Sequence, residues 1–470
     1  MTDTNLYQTT FDRSGCEIGV VHIGLGAFHQ AHQAIYFDDY MQASNDLRWG
    51  IAAVNLRPDD SKAFQSVASN TNGYIVKTIA PDSTSSWRRV RSHIKFVDAS
   101  RQPESASDLI AMESVKLLTA TVTESGYYLN KDWKLDFSEP AIAQSISEKH
   151  SATIYTYLTE SLEKRFQTIN QPITILCCDN LRNNGNILKQ ALIEFVVAQN
   201  RIDLATWIER NVAFPCSMVD RITPRSTNDL FNEVNDLFPN FTNSVIHAEE
   251  YSQWVIEDKF ASDKPELERV GVEFVTDVKP FEEAKIRILN GGHTGLAYLA
   301  ALSGHKTFDQ AMRDPDLFSH FDRMEMREVL PGLGDSIPFD TKEYLLEISK
   351  RFGNPGIADG LERICMDGYT KMAIYIRPTL EACLKKGITP TASFDCIASW
   401  IVFARRYKKG ISKIPYVDPY WETLAPMIEP GKEAVIASDP NIWGDLPKQF
   451  DNFVPSLVAA IHCMDQKWQA

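Results

Sequence analysis

The chain of 470 residues is long enough for two domains with sizeable cores, and its composition, 44% hydrophobic and 23% charged, is ordinary for a soluble globular protein. A net charge of −14 argues against broad binding to DNA, RNA or an anionic membrane, so we expect a small-molecule partner. The N-terminus has neither a basic start nor an apolar signal core, and no run approaches about 18 apolar residues, which favours a cytoplasmic location.

The eight cysteines are irregularly spaced, without a CxxC pair or histidines at zinc-ligand spacing. This pattern predicts reduced, mostly buried thiols and neither a disulfide framework nor a structural zinc site. We therefore expect no metal, although spacing alone leaves open a site built from distant residues.

The first predicted strand covers residues 17–23 and runs into the turn Gly24-Leu-Gly26, followed by a helix through Met41. Gly24 would allow the tight turn and Gly26 the close approach of a pyrophosphate to the helix start. This pattern predicts a dinucleotide-binding fold, but His29 stands where the usual fingerprint has its third glycine. The alternative is an ordinary strand, turn and helix.

A second strand over residues 49–56 ends in a turn that carries Arg57, Asp59 and Asp60. A carboxylate at this point of a nucleotide-binding fold can accept a hydrogen bond from the adenosine ribose and repel a 2′-phosphate. Asp59 or Asp60 therefore indicates NAD, whereas Arg57 could instead pair with a phosphate.

Further strands are predicted along the first half of the chain. Residues 74–80 and 91–97 flank a polar stretch that resembles a hairpin loop, and residues 114–122 form another buried strand. Residues 173–178 form one more, directly before Asn180. The Asn180 amide could donate to a substrate oxygen, or it could simply form a turn.

After about residue 280 the strand-like runs disappear. The pattern predicts an α/β Rossmann-type domain over residues 1–280 and a mostly α-helical substrate-binding domain over residues 281–470. Lys285 would then lie at the junction of the two domains, a common place for a small-molecule cleft. The helices predicted in the second half cover residues 284–302, 308–312, 341–352, 360–376, 378–386 and 393–407.

Lys285, Asn290 and His293 precede an apolar run through Leu302. In a regular α-helix they would lie at about 0°, 140° and 80° around the axis, so all three could face one cleft. The alternative is a solvated lysine, a capping amide and a core histidine.

The motifs together resemble the long-chain, zinc-independent polyol dehydrogenase family, which includes mannitol 2-dehydrogenases, D-arabinitol 4-dehydrogenases and fructuronate reductases. They occur in the family's order over nearly the whole chain. The matching segments are Gly24-Leu-Gly-Ala-Phe-His-Gln-Ala-His32-Gln, Thr123-Glu-Ser-Gly-Tyr127, Cys178-Asp-Asn180, Met218-Val-Asp-Arg-Ile-Thr-Pro224, Trp254-Val-Ile-Glu-Asp258, and Lys285 with Asn290 and His293.

The resemblance implies that Lys285 is the general base that removes the alcohol proton, since burial and the positive nicotinamide ring would favour the neutral amine. Asn180 and Asn290 would hold the developing alkoxide, and His293 would orient a substrate hydroxyl. The remaining implied contacts are Val219, Asp220, Arg363 and Lys371 to substrate, and Gly24, Gly26, Ala27, Phe28, Asp59 and Asp60 to NAD.

Arg363 and Lys371 are expected on one C-terminal helix, about two turns apart and on a shared face. One departure from the family pattern is Gln30, where arginine is common, so a cationic contact to the cofactor phosphates is not expected there.

The expected reaction is the reversible, NAD-dependent and metal-independent oxidation of a sugar alcohol of the D-arabinitol or D-mannitol type to a ketose. A sugar acid, as in a fructuronate reductase, is the second candidate, because Arg363 or Lys371 could pair with a carboxylate. A noncatalytic NAD-binding sensor is the third, although it would have no use for a base. The sequence does not determine the oligomeric state.

Overall fold

The computed structural model describes residues 5–70, 72–130, 133–147, 153–239 and 244–468. The chain divides into two compact units. Unit 1 comprises Met1–Ala80 and Thr84–Lys279, and unit 2 comprises Pro81–Ser83 and Pro280–Ala470. Within the described ranges, no helix combines the length and the apolar character that a bilayer crossing requires.

The described residues of unit 1 form three sheets. Its strands are β1 (Leu6–Gln8), β2 (Ile18–Ile23), β3 (Gly50–Asn55), β4 (Tyr74–Ile79), β5 (Ser85–Val90), β6 (His93–Asp98), β7 (Leu117–Ala120), β8 (Ile173–Cys177), β9 (Val212–Ala213), β10 (Ser217–Asp220), β11 (Val245–Glu249), β12 (Gln253–Glu257) and β13 (Glu273–Val275).

The six-stranded sheet has the order β6-β3-β2-β7-β8-β9, and all its pairs are parallel. When its strands are renumbered along the chain, this is the order 3-2-1-4-5-6 of the doubly wound dinucleotide-binding fold. The order reverses between β2 and β7, where such sheets bind ligands beyond the carboxyl ends of their strands. The predicted Rossmann-type fold is confirmed.

Helices cover both faces of this sheet. Val21 and Ile23 of β2 belong to one buried cluster, and Val20 belongs to another, because successive side chains of a strand point to opposite faces. This double burial explains why the strands are nearly continuous apolar runs. The helices of unit 1 are α1 (Ala27–Ala31), α2 (Gln33–Ser44), α3 (Ser61–Ala68), α4 (Pro103–Ile110), α5 (Pro140–Ser147), α6 (Ile154–Thr168), α7 (Asn184–Ala198), α8 (Ile202–Asn211) and α9 (Asn228–Leu237).

The hairpin predicted between residues 74–80 and 91–97 was wrong in its second strand. β4 pairs antiparallel with Ser85–Val90, whereas His93–Asp98 pairs with β3 in the large sheet. The polar and charged composition of Ser85–Val90 hid this strand, because half of a two-sided strand can lie towards solvent. The helix predicted through Met41 is likewise divided at His32, between α1 and α2.

Unit 2 is built from helices, as predicted. They are α10 (Lys279–Ala284, whose first residue closes unit 1), α11 (Gly291–Leu302), α12 (Phe308–Arg313), α13 (Pro315–Met324), α14 (Leu330–Leu333), α15 (Thr341–Phe352), α16 (Leu361–Ile364), α17 (Gly368–Lys371), α18 (Arg377–Lys385), α19 (Thr391–Lys408), α20 (Trp421–Met427), α21 (Glu433–Ala437), α22 (Pro440–Trp443), α23 (Leu446–Gln449) and α24 (Phe453–Trp468).

A single apolar core runs through unit 2 and includes most of α11 and α19. Helix α11 is apolar nearly all around, which is typical of a helix buried by neighbours on every side. Three wider, π-helical segments interrupt the α-helical geometry of the unit, at Lys285–Asn290, Glu325–Val329 and Met372–Ile376. Segments of this kind are rare and occur frequently at functional sites.

Candidate functional site

The glycine turn follows β2 at the point where the strand order reverses. Gly24 has φ +90°, and a Cβ atom there would lie 2.8 Å from the carbonyl oxygen of Thr121, so this position requires glycine. A Cβ on Gly26 would meet no atom within 4 Å. The backbone of Gly26, which caps the start of α1, is therefore open to a close approach by a ligand.

Four buried histidines, His22, His29, His32 and His93, are linked to this turn and to one another by hydrogen bonds and ring contacts. His22 donates from Nε2 to the carbonyl oxygen of Gly24 at 2.7 Å and accepts at Nδ1 from the Thr119 hydroxyl. The His22 and His29 rings are stacked with centroids 3.2 Å apart. Burial lowers the pKa of His22 and of His93 to about 3 and that of His29 well below its usual value, so these rings are neutral.

The donor and the acceptor can be assigned in each hydrogen bond that joins His32, Gln33, His29 and His93. His32 donates from Nε2 to the Gln253 carbonyl, so its Nδ1 accepts from the Gln33 amide. The Gln33 oxygen then accepts from Nδ1 of His29, whose Nε2 must accept from Nε2 of His93 at 2.9 Å. We call His22, His29, His32 and His93 the histidine network; it ties the glycine turn to β12. His29, in place of a third glycine, therefore has a structural use.

Asp59 and Asp60 lie in a short 3₁₀ turn, Pro58–Asp60, beyond the end of β3. Both are exposed, and Asp60 lies 3.7 Å from the Nε atom of Arg57. The turn before them is fixed by Asn55, whose amide donates to the carbonyl oxygen of Arg57 and to Asp98. The ribose contact of these aspartates stays a prediction.

Asn180 is exposed in the loop after β8, at the carboxyl edge of the large sheet. The preceding residue, Asp179, accepts hydrogen bonds from the Tyr127 hydroxyl, the Leu181 amide and Asn184. The Asn184 side chain also bonds both backbone atoms of Ser217, at the start of β10. Asp179 and Asn184, which sequence patterns did not single out, thus fix the loop that carries Asn180.

Val219 and Asp220 are buried on β10 and pair with Trp254 and Gln253 of β12. The next residue, Arg221, donates to the carbonyl oxygens of Glu249 and of Ala31, the last residue of α1. Arg221 therefore links the predicted substrate strand to the helix that follows the glycine turn. Nothing in the sequence pattern indicated this link.

Lys285 is the first residue of the π-helical segment Lys285–Asn290 in unit 2, and it is 8% exposed. The Gly291 amide donates to the carbonyl oxygen of Ile286, five residues earlier. The prediction of a regular α-helix over residues 284–302 was therefore wrong here, and the angles expected for the polar trio do not apply. A wider turn advances each residue through a smaller angle.

Asn290 ends this segment. Its Oδ1 atom is buried and accepts no hydrogen bond within the described part of the chain, an arrangement that is costly unless a ligand supplies a donor. Two residues on, a Cβ atom at Gly292 would lie 2.7 Å from Oε1 of Glu325 and 2.9 Å from the Phe321 ring, so a larger residue at the start of α11 would require these side chains to shift.

His293 is held between two aromatic rings. The Phe352 ring stacks on it with centroids 4.6 Å apart, and the Phe308 ring meets it edge-on at 4.3 Å. Its Nε2 atom lies 3.9 Å from Oδ2 of Asp359. Burial lowers the pKa of His293 to about 3, so the ring is neutral and one of its nitrogen atoms can accept a hydrogen bond.

Arg363 and Lys371 do not share one helix, contrary to the prediction. Residues 360–376 form α16, α17 and a π-helical segment, because Asp367 adopts the left-handed conformation with φ +60°. The chain nevertheless folds back, and Nζ of Lys371 donates to the carbonyl oxygen of Ile364, next to Arg363, at 2.8 Å. The two cations are neighbours through this reversal and not through a common helix face.

The residues of the glycine turn fit a dinucleotide. The open space at Gly26, the free helix start and the strand order are the features that hold a pyrophosphate in such folds. Gln30 is uncharged and adds no cation, and its amide donates a hydrogen bond to the Leu25 carbonyl within the turn.

The model of the mannitol dehydrogenase Rossmann domain matches residues 18–269, and that of the mannitol dehydrogenase C-terminal domain matches residues 277–464. The chain is 35% identical to the D-arabinitol 4-dehydrogenase of Klebsiella pneumoniae, over 94% of this chain and 98% of that protein. It is 32% identical to the mannitol 2-dehydrogenase of Cereibacter sphaeroides, over 97% and 96% of the two chains.

Two solved structures are similar over almost the whole chain. A D-sorbitol dehydrogenase in its substrate-free form has a TM-score of 0.88 and 26% identity, with 99% of this chain and 96% of that chain covered. The mannitol 2-dehydrogenase of Pseudomonas fluorescens, in a ternary complex with NAD and D-mannitol, has a TM-score of 0.86 and 27% identity, with 98% and 95% covered.

Proposed function

The chain belongs to the mannitol dehydrogenase family, and from this premise we propose that it is an NAD-dependent polyol dehydrogenase. It oxidises a secondary alcohol of a sugar alcohol of the D-arabinitol or D-mannitol type to a ketose, reversibly and without a metal ion. The observation that carries this proposal is Lys285, a buried amine that opens a π-helical segment ended by Asn290, whose buried Oδ1 atom accepts no hydrogen bond from the described residues.

The glycine turn at Gly24 and Gly26 would hold NAD, which would supply the hydride acceptor for the carbinol carbon. Lys285 removes the hydroxyl proton from the same alcohol and carries it as an ammonium group. Its position supports this role, because a lysine that is largely withdrawn from water holds its charge at a cost and can act as a neutral base. In the reverse direction the same ammonium group returns the proton to the alkoxide.

Asn180 and Asn290 donate hydrogen bonds from their amides to the oxygen on which negative charge develops. Positioned donors of this kind commonly contribute about 3–4 kcal/mol to transition-state stabilisation. The fixed loop around Asn180 supports its assignment, since a preorganised donor loses little freedom on binding. His293, neutral between two phenylalanines, orients a further hydroxyl of the substrate.

Val219 and Asp220 on β10, with Arg363 and Lys371 of unit 2, are proposed to contact the substrate away from the reacting carbon. The relatives named D-arabinitol 4-dehydrogenase and mannitol 2-dehydrogenase support a neutral polyol. D-Mannonate, the substrate of a fructuronate reductase in its oxidative direction, is the competing candidate.

The test is to mix the protein with NAD and, separately, with D-arabinitol, D-mannitol and D-mannonate, and to follow NADH by its absorbance. NADH formation with either polyol is the expected result. Turnover of D-mannonate alone would replace the polyol by a sugar acid. Binding of NAD without turnover of any of the three would favour the sensor.

The metal-independent chemistry has its own measurement. Prolonged treatment with a chelator should leave the polyol-dependent rate unchanged, because Lys285 and not a Lewis acid assists loss of the proton. A loss of rate that is restored by a divalent cation would contradict the proposed base.

A further inference from the structure

We propose that Asp359 is a specificity-determining residue of unit 2. It holds Arg363 beside His293 and offsets the positive charge of Arg363, so that this part of the site selects neutral hydroxyls over a carboxylate. The proposal rests on the proposed function, because it concerns how the same enzyme distinguishes a polyol from the related sugar acid. It gives Asp359 a positioning role, since the residue acts through Arg363 and His293.

The carboxylate of Asp359 is shared by two predicted substrate residues. Oδ1 accepts a hydrogen bond from Nε of Arg363 at 2.9 Å, and Oδ2 accepts another from Nη2 of the same side chain. Oδ2 also lies 3.9 Å from Nε2 of His293. One carboxylate therefore fixes the position of the cation and lies beside the imidazole.

The backbone around Asp359 is tied to the same place. Ala358, directly before it, has φ +46°, which is unfavourable for a residue with a side chain and needs support from its surroundings. The Asp359 carbonyl oxygen accepts from the Phe308 amide at 2.9 Å, and the Phe308 ring packs against His293. The loop and one wall of the His293 pocket are thus a single hydrogen-bonded unit.

The pairing limits what Arg363 can offer a ligand. The Nε and Nη2 donors form the side-on edge that best matches a carboxylate, and Asp359 occupies this edge. The remaining N–H groups can still donate to hydroxyl oxygens, and the Arg363 side chain is 54% exposed. A second carboxylate that approached the guanidinium would also meet the negative charge of Asp359.

The positive charge of Lys371 is also partly offset by nearby carboxylates. Burial lowers its pKa most strongly, whereas the carboxylates of Asp367 and Asp359 raise the pKa, and Arg363 lowers it. At His293, the charge of Asp359 likewise opposes the effects of Arg363, Lys371 and Arg351 on the ring. Asp359 therefore offsets part of the positive charge that a sugar acid would otherwise meet here, while the cations keep hydrogen-bond donors for neutral oxygen atoms.

The main test is the isosteric variant Asp359→Asn, which removes the charge and keeps the shape. We measure kcat/KM for the preferred polyol and the inhibition constant of D-mannonate against that polyol. We expect D-mannonate to inhibit about tenfold more tightly, while the polyol loses kcat/KM through KM with kcat nearly unchanged, because the reacting groups are not altered.

The chain provides a matched control in Asp309→Asn. Asp309 pairs with Arg313 at the same spacing of four residues, and the exposures of the two pairs are nearly equal, 57% and 4% for Arg313 and Asp309 against 54% and 7% for Arg363 and Asp359. This control should leave the ratio of the D-mannonate inhibition constant to the polyol KM within twofold of the original chain. If this ratio changed equally in Asp359→Asn and Asp309→Asn, the proposed role of Asp359 would be wrong.

Arg363→Gln is the second variant, and it remains informative if Asp359→Asn fails to fold. It leaves the negative charge of Asp359 without its cation, so D-mannonate should inhibit at least tenfold more weakly. Unchanged inhibition would contradict the proposal. Failure of the proposed function is recognised separately, since the unaltered chain would then form no NADH from either polyol.

Discussion

Burial lowers the pKa of His22, His29 and His93 in unit 1 and of His293 in unit 2, but the surroundings of these rings differ. In the histidine network of unit 1, both ring nitrogens of His22, His29 and His32 and Nε2 of His93 form hydrogen bonds to other side chains or to backbone carbonyls, whereas Nδ1 of His93 forms none with the described residues. In unit 2, His293 is held by ring stacking, and Oδ2 of Asp359 lies 3.9 Å from its Nε2.

The difference teaches that burial alone does not identify a functional histidine. The network's hydrogen-bonding groups are largely satisfied within the protein, and such an arrangement rigidifies a turn. The group around His293 and Asn290 keeps hydrogen-bonding capacity in reserve, as a binding site does. The histidine network should therefore respond to changes mainly through stability and cofactor affinity, and the group around His293 and Asn290 mainly through turnover.

The largest effect is expected at Lys285. Lys285→Ala should lower kcat by about 10²–10⁴, the usual contribution of a general base. NAD affinity and the melting temperature should change little, because the glycine turn belongs to unit 1. Titration of NAD by fluorescence, together with steady-state rates, separates these quantities. Lys279→Ala, at an exposed lysine, is the control. Weak cofactor binding with normal turnover in Lys285→Ala would contradict the assignment of Lys285 as the base.

Acid should destabilise the histidine network. Because burial lowers the folded-state pKa of His22 and His93 to about 3 and that of His29 well below its usual value, the unfolded chain takes up protons first as the pH falls. The contribution is full above about pH 6.5 and is lost progressively below it, by roughly 1–2 kcal/mol per histidine at pH 5.5 and about 4 kcal/mol for the three together.

Guanidinium denaturation at pH 7.5 and pH 5.5 measures this loss. The raised pKa of Asp38, about 6 as a result of burial, acts in the opposite direction over part of the range and offsets a fraction of it. Imidazole NMR signals should show the three rings neutral at both pH values. Rings that titrate near pH 6.5 in the folded protein would contradict the network.

The two glycines of the turn should respond differently. Gly24→Ala should lose about 1–3 kcal/mol of stability, because the backbone is left-handed and the added Cβ meets the Thr121 carbonyl. Gly26→Ala should keep its stability within about 0.5 kcal/mol, since its Cβ meets nothing in the protein. It should nevertheless bind NAD at least about tenfold more weakly, since one well-placed contact contributes on the order of 1.4 kcal/mol.

Thermal melts without NAD and calorimetric titration with NAD give both numbers for each variant. Equal losses of stability in the two would mean that the space at Gly26 is not reserved for a ligand.

The smallest change in stability is expected at Asp59 and Asp60. Both are exposed, and the Arg57–Asp60 pair is of the surface type that contributes about 0–1 kcal/mol. The double variant Asp59→Asn and Asp60→Asn should therefore melt as the original chain does. Its kcat/KM with NADP relative to NAD should rise about tenfold, the effect of roughly 1.4 kcal/mol of lost repulsion. An unchanged ratio would remove these aspartates from the cofactor site.

Much of unit 1 could be predicted because its signals are local. A continuous apolar run such as β2 indicates a strand buried on both faces, and Gly24 marks a turn that needs positive φ. Strand β5 could not be predicted, because Ser85–Val90 is polar and partly solvent-facing, and its second partner, β1, lies far away in the sequence. The same limit applies to the division at His32, whose ring bonds to Gln253, more than 200 residues away.

The sequence by itself determined the kind of fold and the chemical character of the candidate site, because residue types and local periodicity are written along the chain. Tertiary packing alone decided that Lys285 opens a π-helical segment and that Asp367 reverses the chain to bring Lys371 beside Ile364. It also decided that Asp359 meets both Arg363 and His293. Hydrogen bonds and ion pairs act over a few ångströms in space, and distances along the sequence do not fix them.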